Sequence, residues 1–320
     1  HPAHNRQVLG SSPSGSTKQK DKMSSNLDKC HCCGQDTYES YLSILHSRDI
    51  DKQSNKAYIH SLSHYIPNID AMEDSYMCLN PLCKHTYRNY KGDIKDFHKN
   101  DYRAHQLSKS DGFLDMGSEK KMLLRAKRFQ MALRFVISHV KPKHNILEIA
   151  SGRGYFLTIA KNYFKSATGM DIDPKTKVHN SRINPEVDYI VCDFLEMPED
   201  KKYDVIFAFD VLEHIENIKD FPKKIHKLGK KVVIQVPVNR PIIPPNLHLL
   251  DEKDRPTYRD NAGNKLQTKF DGHLHYFTEN SLHNLFTKDN LFKCVFCYTS
   301  KAGELAGGQE LLAVYEKIGD

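Results

Sequence analysis

The sequence predicts an α/β fold in which a doubly wound, seven-stranded sheet follows a small cysteine-rich domain. From residue 145 onward, short apolar strand-like runs alternate with helical runs, a pattern typical of parallel strands joined by right-handed crossovers. Two late strand-like runs flank the glycine-rich loop 303–308 and are close enough to pair as an antiparallel hairpin. We therefore expect the last strand to be antiparallel, and a ligand to lie at the carboxyl ends of the parallel strands.

The individual elements follow from apolar periodicity. Strands are predicted over 145–150, 166–171, 187–192, 203–208, 230–236, 291–298 and 310–317. Helices within the domain are predicted near 154–164, 174–181, 217–228 and 279–287. Ahead of the first strand, residues 118–140 place their apolar side chains on one helical face, and Ser118 is a fair N-cap for that helix.

Composition divides the chain into three parts. Residues 1–29 are predicted to be a disordered tail or expression remnant, because 1–22 are rich in Ser, Gly, Lys and Pro and lack apolar periodicity. Residues 30–112 are polar, tyrosine-rich and cysteine-rich, and are predicted to be a separate module. Residues 113–320 hold the α/β domain, in which the Pro-rich insertion 237–278 is expected to form a lid over a ligand pocket.

Charge and cysteine content narrow the class of protein. The formal charge is +7, of which residues 1–22 contribute +3, and the mild remainder does not indicate a nucleic-acid footprint. No apolar run approaches the roughly 20 residues of a membrane helix, and no signal peptide is evident. Eight cysteines without a secretion signal indicate reduced thiols in a cytoplasmic protein. Three of them are expected to be buried structural thiols: Cys192, Cys294 and Cys297.

Polar residues and glycines follow three successive predicted strands. After the first strand, Glu148 precedes a turn with Gly152 and Gly154, which allows backbone to approach a ligand at a helix N-terminus. Asp171 ends the second strand, where a carboxylate can accept both hydroxyls of a ribose. Asp193 ends the third strand beside an aromatic ring, a pair suited to an adenine. The three strand ends together indicate a nucleoside site.

Four motifs in this order resemble those of class I S-adenosylmethionine-dependent methyltransferases. They are LEIASGRG (147–154), TGMDID (168–173), VCDF (191–194) and YDVIFAFDVLEHI (203–215). The resemblance covers about residues 145–320 and implies a Rossmann-like sheet and methyl transfer from S-adenosylmethionine. Ala150 stands where the family usually has glycine, and we expect it to fit with a negative φ. A dinucleotide-dependent dehydrogenase is disfavoured because G-x-G-x-x-G is absent.

The resemblance also implies roles for single residues. Residues implied to bind the cofactor are Glu148, Gly152, Gly154, Asp171, Ile172, Asp193, Phe194 and Phe209. Asp210 is implied to lie beside the sulfonium together with Phe209. The alternative is that Glu148 caps a helix and Asp171 merely ends a strand.

A histidine-containing group is predicted on the acceptor side. The run Asp210-x-x-Glu213-His214 is similar to runs in some quinone and small-RNA O-methyltransferases that bind a divalent ion. The segment LEHI also occurs in members of the superfamily without a metal, where it helps the following helix to pack. His273 and His275 lie two residues apart in DGHLHYFT, so on an extended segment both could face one cavity. We therefore predict catalytic roles for His273, His214, Asp210 and His275.

The cysteine-rich module has the spacing of two zinc knuckles. CHCCG (30–34) and CLNPLC (78–83) supply two thiol pairs, and the predicted ligands are Cys30, Cys33, Cys78 and Cys83. The rival ligands are His31, Cys32 and His85, and thiols without metal remain an alternative. The arrangement resembles the zinc-binding N-terminal part of bacterial sugar methyltransferases. A purely structural zinc site is the other interpretation.

Three function classes are open on this evidence. The leading hypothesis is O-methylation of a small polar acceptor, such as a nucleotide sugar or surface-glycan precursor. The alternative is an RNA methyltransferase that uses the zinc module for RNA docking, which predicts a continuous Lys/Arg face. The third is a non-catalytic binding protein that retains the cofactor fold. No oligomeric state is predicted.

Overall fold

The computed structural model describes most of the predicted α/β domain and parts of the cysteine-rich module. The described residues are 29–35, 37–40, 75–78, 80, 82–88, 93–96, 98–99, 119–238, 273–301, 305 and 309–319. The predicted tail, except Lys29, and the predicted lid, except residues 237–238 and 273–278, lie outside the described residues.

The secondary structure follows the predicted order. The module contributes β1 (Thr37–Ser40), β2 (Ser75–Cys78), β3 (Thr86–Arg88) and one helical turn, Ile94–Asp96. The domain begins with α1 (Glu119–Val136), β4 (Asn145–Ile149), α2 (Tyr155–Tyr163), β5 (Ser166–Asp171), α3 (Pro174–Ile183) and β6 (Asp188–Val191). It continues with β7 (Tyr203–Phe209), α4 (Phe221–Leu228), β8 (Gly229–Pro237), β9 (His275–Tyr276), α5 (Glu279–Thr287), β10 (Phe292–Thr299) and β11 (Glu310–Lys317). Short 3-10 turns at Phe194–Glu196, Leu212–His214 and Ile218–Asp220 follow the strand ends.

Local sequence sets the start of several helices. Asp173 caps α3 by accepting a hydrogen bond from the backbone N–H of Lys175, and Pro174 occupies the first helical position. Thr278 and Ser281 form a reciprocal capping box at the start of α5. These caps fix where the chain leaves each strand end and enters the next helix.

The large sheet has the predicted seven strands, in the order β10-β11-β8-β7-β4-β5-β6. β11 is antiparallel to both β8 and β10, whereas β8, β7, β4, β5 and β6 pair in parallel. The predicted Rossmann-like sheet with an antiparallel last strand is confirmed. Because β4 pairs with β5 and β7 in parallel register, the carboxyl ends of these three strands meet at one edge of the sheet.

Apolar side chains cover both faces of this sheet. On one face α1 and α2 contribute to a cluster that includes Phe156, Leu157 and Phe207. The other face carries α4, α5 and the cysteines of the module, with Phe221 and Phe286 at its centre. Burying each such side chain contributes about 1.5–3 kcal/mol of hydrophobic stabilisation. The sheet is therefore a rigid base for the groups at its strand ends.

A second, four-stranded sheet joins the module to the main domain. Its order is β1-β2-β3-β9, and β9 comes from the chain that follows the predicted lid. Thr86 pairs with Tyr276 and Tyr87 with His275. The sequence analysis did not anticipate this pairing, because two residues of strand leave no periodic signal.

The exposure of three cysteines and the character of the helices were both predicted from the sequence. Cys297 is exposed, while Cys192 and Cys294 are half-buried, so the expectation of three buried thiols is wrong, most clearly at Cys297. The reason is that β10 is an edge strand with an irregularity between Cys294 and Phe296. Within the described part of the chain, no helix has the length and apolar character needed to cross a membrane.

Candidate functional site

The turn after β4 brings backbone groups together at the carboxyl edge of the sheet. Gly152 and Gly154 have φ values of 57° and 70°, in the left-handed region that favours glycine. A Cβ on Gly154 would lie 1.7 Å from Oδ1 of Asn180. Nδ2 of that asparagine donates to the carbonyl of Gly152 at 2.8 Å, so it also holds the turn. The glycines are thus required by local geometry.

Ala150 departs from its expected conformation. Its φ is 49°, so the expectation of a negative φ is wrong. A left-handed conformation costs a residue with a Cβ roughly 1–2 kcal/mol. The turn holds it there, because the backbone N–H of the following residue, Ser151, donates to the carbonyl of Met170 at 2.8 Å.

The carboxylate of Asp171 is held by the backbone of two loops. Oδ2 accepts from the N–H of Gly152 at 2.8 Å, and Oδ1 accepts from the N–H of Asp173 at 2.9 Å. The residue is 5% exposed and lines a cavity together with Ile172. Its position therefore depends on both the β4 and the β5 strand ends.

Glu148 is a buried acid at the end of β4. Burial, and next the charge of Asp171, raise its pKa well above the ordinary value, while the Arg128 guanidinium opposes the shift. Its Oε2 has no hydrogen-bond partner among the described residues. A buried polar atom of this kind fits a polar or cationic ligand.

Asp193 and Phe194 occupy the next strand end. Oδ1 of Asp193 accepts from the N–H of Leu195 at 2.8 Å, while Oδ2 lies 2.6 Å from Nζ of Lys95. Phe194 is buried against Phe221, with ring centroids 5.0 Å apart. Lys95 belongs to the cysteine-rich module, so that module closes one side of the strand-end site.

A cavity of about 200 Å³ opens between these groups. Acidic groups of three strand ends, Asp171, Asp193 and Asp210, line it together with the aromatic ring of Phe194. The remaining lining residues are Ile94, Lys95, His98, Ile149, Ala150, Met170, Ile172, Leu195, Val211, His214, Ile215, Glu216 and Asn217. Four of the eight predicted cofactor-binding residues line the cavity, namely Asp171, Ile172, Asp193 and Phe194, whereas Glu148, Gly152, Gly154 and Phe209 do not.

Phe209 is the last residue of β7 and Asp210 follows it. The side chains of these two residues have different neighbours. Phe209 packs against Phe129 and Phe156, with ring centroids 5.3 and 5.1 Å away, so its ring belongs to the core under α1 and α2. Asp210 has a φ of 54° and forms an ion pair with Arg128 of α1. Asp210 is therefore on the cavity wall, whereas Phe209 supports the strand end from behind.

Glu310 at the start of β11 extends this polar group. Burial, and next the charge of Asp210, raise its pKa to about 7. Its Oε2, Oδ1 of Asp210 and Nε of Arg128 have no hydrogen-bond partners in the described part of the chain. Such orphaned groups beside a cavity fit a ligand with both positive and negative polar groups.

Glu213, His214 and His273 form a cluster next to the cavity. One ligand atom of each lies within 4.8 Å of the others. Nε2 of His214 and Nε2 of His273 are each 4.0 Å from Oε1 of Glu213, and the two imidazole rings are 4.8 Å apart. Glu213 is buried, with a side chain 1% exposed. The geometry suits a divalent cation or a proton-transfer group.

His275 lies elsewhere. It is 1% exposed, and its Nδ1 is 3.1 Å from Nε2 of His85, while its Nε2 is 2.8 Å from the carbonyl oxygen of Ile215. The expectation that His273 and His275 face one cavity is wrong. Strand pairing with β3 begins only at His275, so the chain from 273 to 275 is not a regular strand.

The four predicted cysteine ligands converge. Their sulfurs all lie within 4.8 Å of one another, with 3.9 Å between Cys30 and Cys83 and 3.3 Å between Cys33 and Cys78. Tetrahedral zinc with Zn–S bonds of about 2.3 Å needs sulfurs about 3.8 Å apart. Burial, and next the hydrogen bond to Cys33, raise the pKa of Cys78 to about 12. The spacing of the four sulfurs thus fits a tetrahedral zinc ion.

The rival ligands lie close to the same sulfurs. Cys30, Cys32 and His85 form a second group with ligand atoms within 4.8 Å of one another. Burial raises the pKa of the Cys32 thiol well above its usual value. His31 is 9% exposed, and its ring is 4.7 Å from that of Tyr87. The geometry alone is compatible with either cysteine group.

One known protein family matches most of the α/β domain. The profile of a methyltransferase domain family matches residues 104–293, more than half of the chain. The chain belongs to this methyltransferase family. The match confirms the predicted class of enzyme, a methyltransferase dependent on S-adenosylmethionine.

Individual relatives of this methyltransferase are distant. Ubiquinone biosynthesis O-methyltransferases of two Rickettsia bellii strains are 27% identical over 121 residues, which is 34% of this chain and 50% of theirs. The chain thus matches about half the length of these curated relatives.

Two solved structures are similar in fold. A Pyrococcus horikoshii OT3 protein has 17% identity, covers 67% of this chain and 98% of its own, and gives a TM-score of 0.48. The N-methyltransferase NodS from Bradyrhizobium japonicum WM9, in complex with S-adenosyl-L-homocysteine, has 16% identity, coverages of 68% and 98%, and a TM-score of 0.46.

The sequence analysis missed several polar residues at the site of this methyltransferase. They include Lys95, His98, Arg128 and Glu310. Arg128 lies within an amphipathic helix, where a charged residue normally faces solvent. Lys95 lies in the helical turn Ile94–Asp96, His98 lies just beyond that turn, and Glu310 begins β11. No spacing relative to the four motifs points to these three residues. Only the docking of these elements against the sheet edge reveals their position.

Proposed function

We propose that this methyltransferase transfers a methyl group to a hydroxyl of a small polar acceptor, such as a nucleotide sugar or glycan precursor. The observation that carries the proposal is the cluster of Glu213, His214 and His273 beside a cavity lined by Asp171 and Asp193. These side chains can accept the proton of an acceptor hydroxyl, or hold its oxygen, beside the cavity.

The strand ends fit S-adenosylmethionine as the cofactor. Asp171, which lines the cavity, would accept hydrogen bonds from ribose hydroxyls, and Asp193 with Phe194 would contact adenine. The buried Oε2 of Glu148 and the group of Arg128 with Asp210 would hold the charged amino-acid end. S-adenosylmethionine supplies a methyl group already activated on a sulfonium. The protein has to align the acceptor and exclude water.

A divalent cation at Glu213, His214 and His273 is part of the proposal. A carboxylate with two imidazoles is a ligand set for metals such as Mg²⁺, Mn²⁺ or Zn²⁺. A bound cation would supply positive charge next to the acceptor oxygen. As its ligands, Glu213 and the two histidines would hold that charge in place; without a bound cation, the same groups would instead accept the hydroxyl proton. The ubiquinone biosynthesis relatives carry the name O-methyltransferase, which supports oxygen as the acceptor atom.

The test is methyl transfer from labelled S-adenosylmethionine to a panel of nucleotide sugars, catechol-like quinols and structured RNA. We expect transfer to a small hydroxyl acceptor, lost after EDTA treatment and restored by Mg²⁺ or Mn²⁺. Transfer to RNA alone would favour the alternative in which the cysteine module docks RNA. Binding of S-adenosylhomocysteine without transfer to any acceptor would favour a non-catalytic protein.

We also propose that the four cysteines of the module hold one structural zinc ion. The ligands are Cys30, Cys33, Cys78 and Cys83, whose sulfurs have the spacing given above. All eight cysteines are free thiols, which supports a reducing compartment such as the cytoplasm. We expect the purified protein to contain one zinc per chain by elemental analysis. Cys33→Ser should release it, while Cys192→Ser, the matched control, should not.

A further inference from the structure

His275 connects the cysteine module to the loop that carries the histidine cluster. On one side its Nδ1 lies 3.1 Å from Nε2 of His85, and the two rings are stacked. Nδ1 of His85 in turn lies 3.8 Å from the sulfur of Cys30, a proposed zinc ligand. On the other side, Nε2 of His275 lies 2.8 Å from the carbonyl oxygen of Ile215. Ile215 directly follows Glu213 and His214 in the chain.

The hydrogen bond on the Ile215 side has one possible direction. A carbonyl oxygen can only accept, so Nε2 of His275 carries the proton that it donates to Ile215. On the other side, Nδ1 of His275 and Nε2 of His85 share one hydrogen bond. A buried imidazole with both ring nitrogens in contact has a single orientation.

The residues around His275 hold His273 in place. The backbone N–H of Leu274 donates to the carbonyl of Glu213 at 2.7 Å. Further along, Oγ1 of Thr278 donates to the carbonyl of Cys83 at 2.6 Å. The segment is thus clamped between the cysteine module and the Glu213 loop, and His273 at its start reaches Oε1 of Glu213 at 4.0 Å.

We propose that His275 is a positioning residue, which couples the cysteine module to the placement of His273 beside Glu213 and His214. This inference rests on the proposed function for its effect on turnover. It also explains why β9, a strand of two residues from the main domain, completes the sheet of the module. His275 contacts neither substrate nor cofactor, since it does not line the cavity found among the described residues.

Two substitutions separate the links. His275→Phe keeps a ring of similar size and removes both hydrogen bonds. His275→Gln can still donate a hydrogen bond to the carbonyl of Ile215 through its amide nitrogen. His226→Gln is the matched control, because His226 lies on α4 with its ring against Phe292, away from the site. All are made in the full chain with zinc content measured.

The primary readout is the proximity of His214 and His273 by nuclear Overhauser effects between histidine-labelled imidazoles. We expect a cross-peak in the wild type and in His226→Gln, its loss in His275→Phe and its partial return in His275→Gln. Turnover should follow the same order, with kcat lowered about 10- to 100-fold in His275→Phe. The dissociation constant of S-adenosylhomocysteine and the zinc content should stay unchanged.

The outcomes distinguish this inference from the proposed function. A wild type that transfers methyl to no hydroxyl acceptor would contradict the proposed function, while the cross-peaks would still decide the role of His275. A cross-peak retained in His275→Phe at full intensity would overturn the positioning role. So would loss of the cross-peak together with zinc and cofactor affinity, since that result indicates general unfolding.

Discussion

Glu213→Gln is expected to lower kcat by about 10²- to 10⁴-fold while leaving the affinity for S-adenosylhomocysteine unchanged. The substitution keeps the size of a side chain that is 1% exposed but removes the negative charge facing His214 and His273. Loss of a positioned general base or of an anionic metal ligand has effects of this size. The measurement is steady-state methyl transfer to the best acceptor of the panel, with cofactor binding followed by calorimetry.

Two controls make this expectation specific to the cluster. Glu199→Gln removes an acid that is paired with Lys224 and Lys227 on the surface, and it should retain wild-type turnover. His273→Ala should slow transfer and also preserve cofactor affinity, since His273 does not line the cavity. If Glu213→Gln had the turnover of the wild type, the cluster would have no part in the reaction. The same conclusion would follow if added Mg²⁺ stimulated both proteins equally.

The sheet was predictable because its strands are short, apolar and regularly separated. The run VVIQV in β8 and the run DVIFAF in β7 are buried on both faces, which is the pattern of parallel strands. The final hairpin was predictable because only the short segment 299–309, which contains the glycine-rich loop 303–308, separates its strand-like runs. The position of β11 between β8 and β10 was not specified, because strand order depends on tertiary contacts.

The site was predictable where chain order and strand direction fix it. Asp171 and Asp193 end adjacent parallel strands, so their convergence on one cavity needed only the correct register. The position of His275 could not be predicted in this way. Two-residue alternation placed it with His273, yet a strand of the distant cysteine module binds it on the other side. Contacts that join residues 190 positions apart, as His85 and His275 do, leave no local pattern in the sequence.

Ala150 gives a second example of a tertiary effect on local structure. Its small side chain suggests an ordinary backbone, yet its φ of 49° is left-handed. The neighbouring Ser151 is held both by the backbone of β5 and by Oη of Tyr189, which lies 2.8 Å from its Oγ. The turn therefore imposes the conformation, and the alanine tolerates it.

Asp171→Asn is expected to weaken binding of S-adenosylhomocysteine by about 10- to 100-fold. Hydrogen bonds to a charged group contribute about 1.5–3 kcal/mol each, and the substitution removes the charge from the carboxylate at the end of β5. The asparagine also loses one of the two backbone bonds, because its amide nitrogen cannot accept from Gly152 or Asp173. Calorimetric titration measures the change in the dissociation constant. Thermal unfolding measures how far the lost backbone hydrogen bond destabilises the fold.

Asp173→Ala separates binding from folding in that comparison. Asp173 caps α3 through the N–H of Lys175 but does not line the cavity, so its substitution should lower the melting temperature and leave cofactor affinity intact. Both variants should therefore lower the melting temperature, but only the one at Asp171 should remove a contact with the ligand. Equal weakening of cofactor binding in both would mean that Asp171 acts only by holding the loop. Unchanged binding in Asp171→Asn would remove the ribose contact, and with it the assignment of this strand end to the nucleoside.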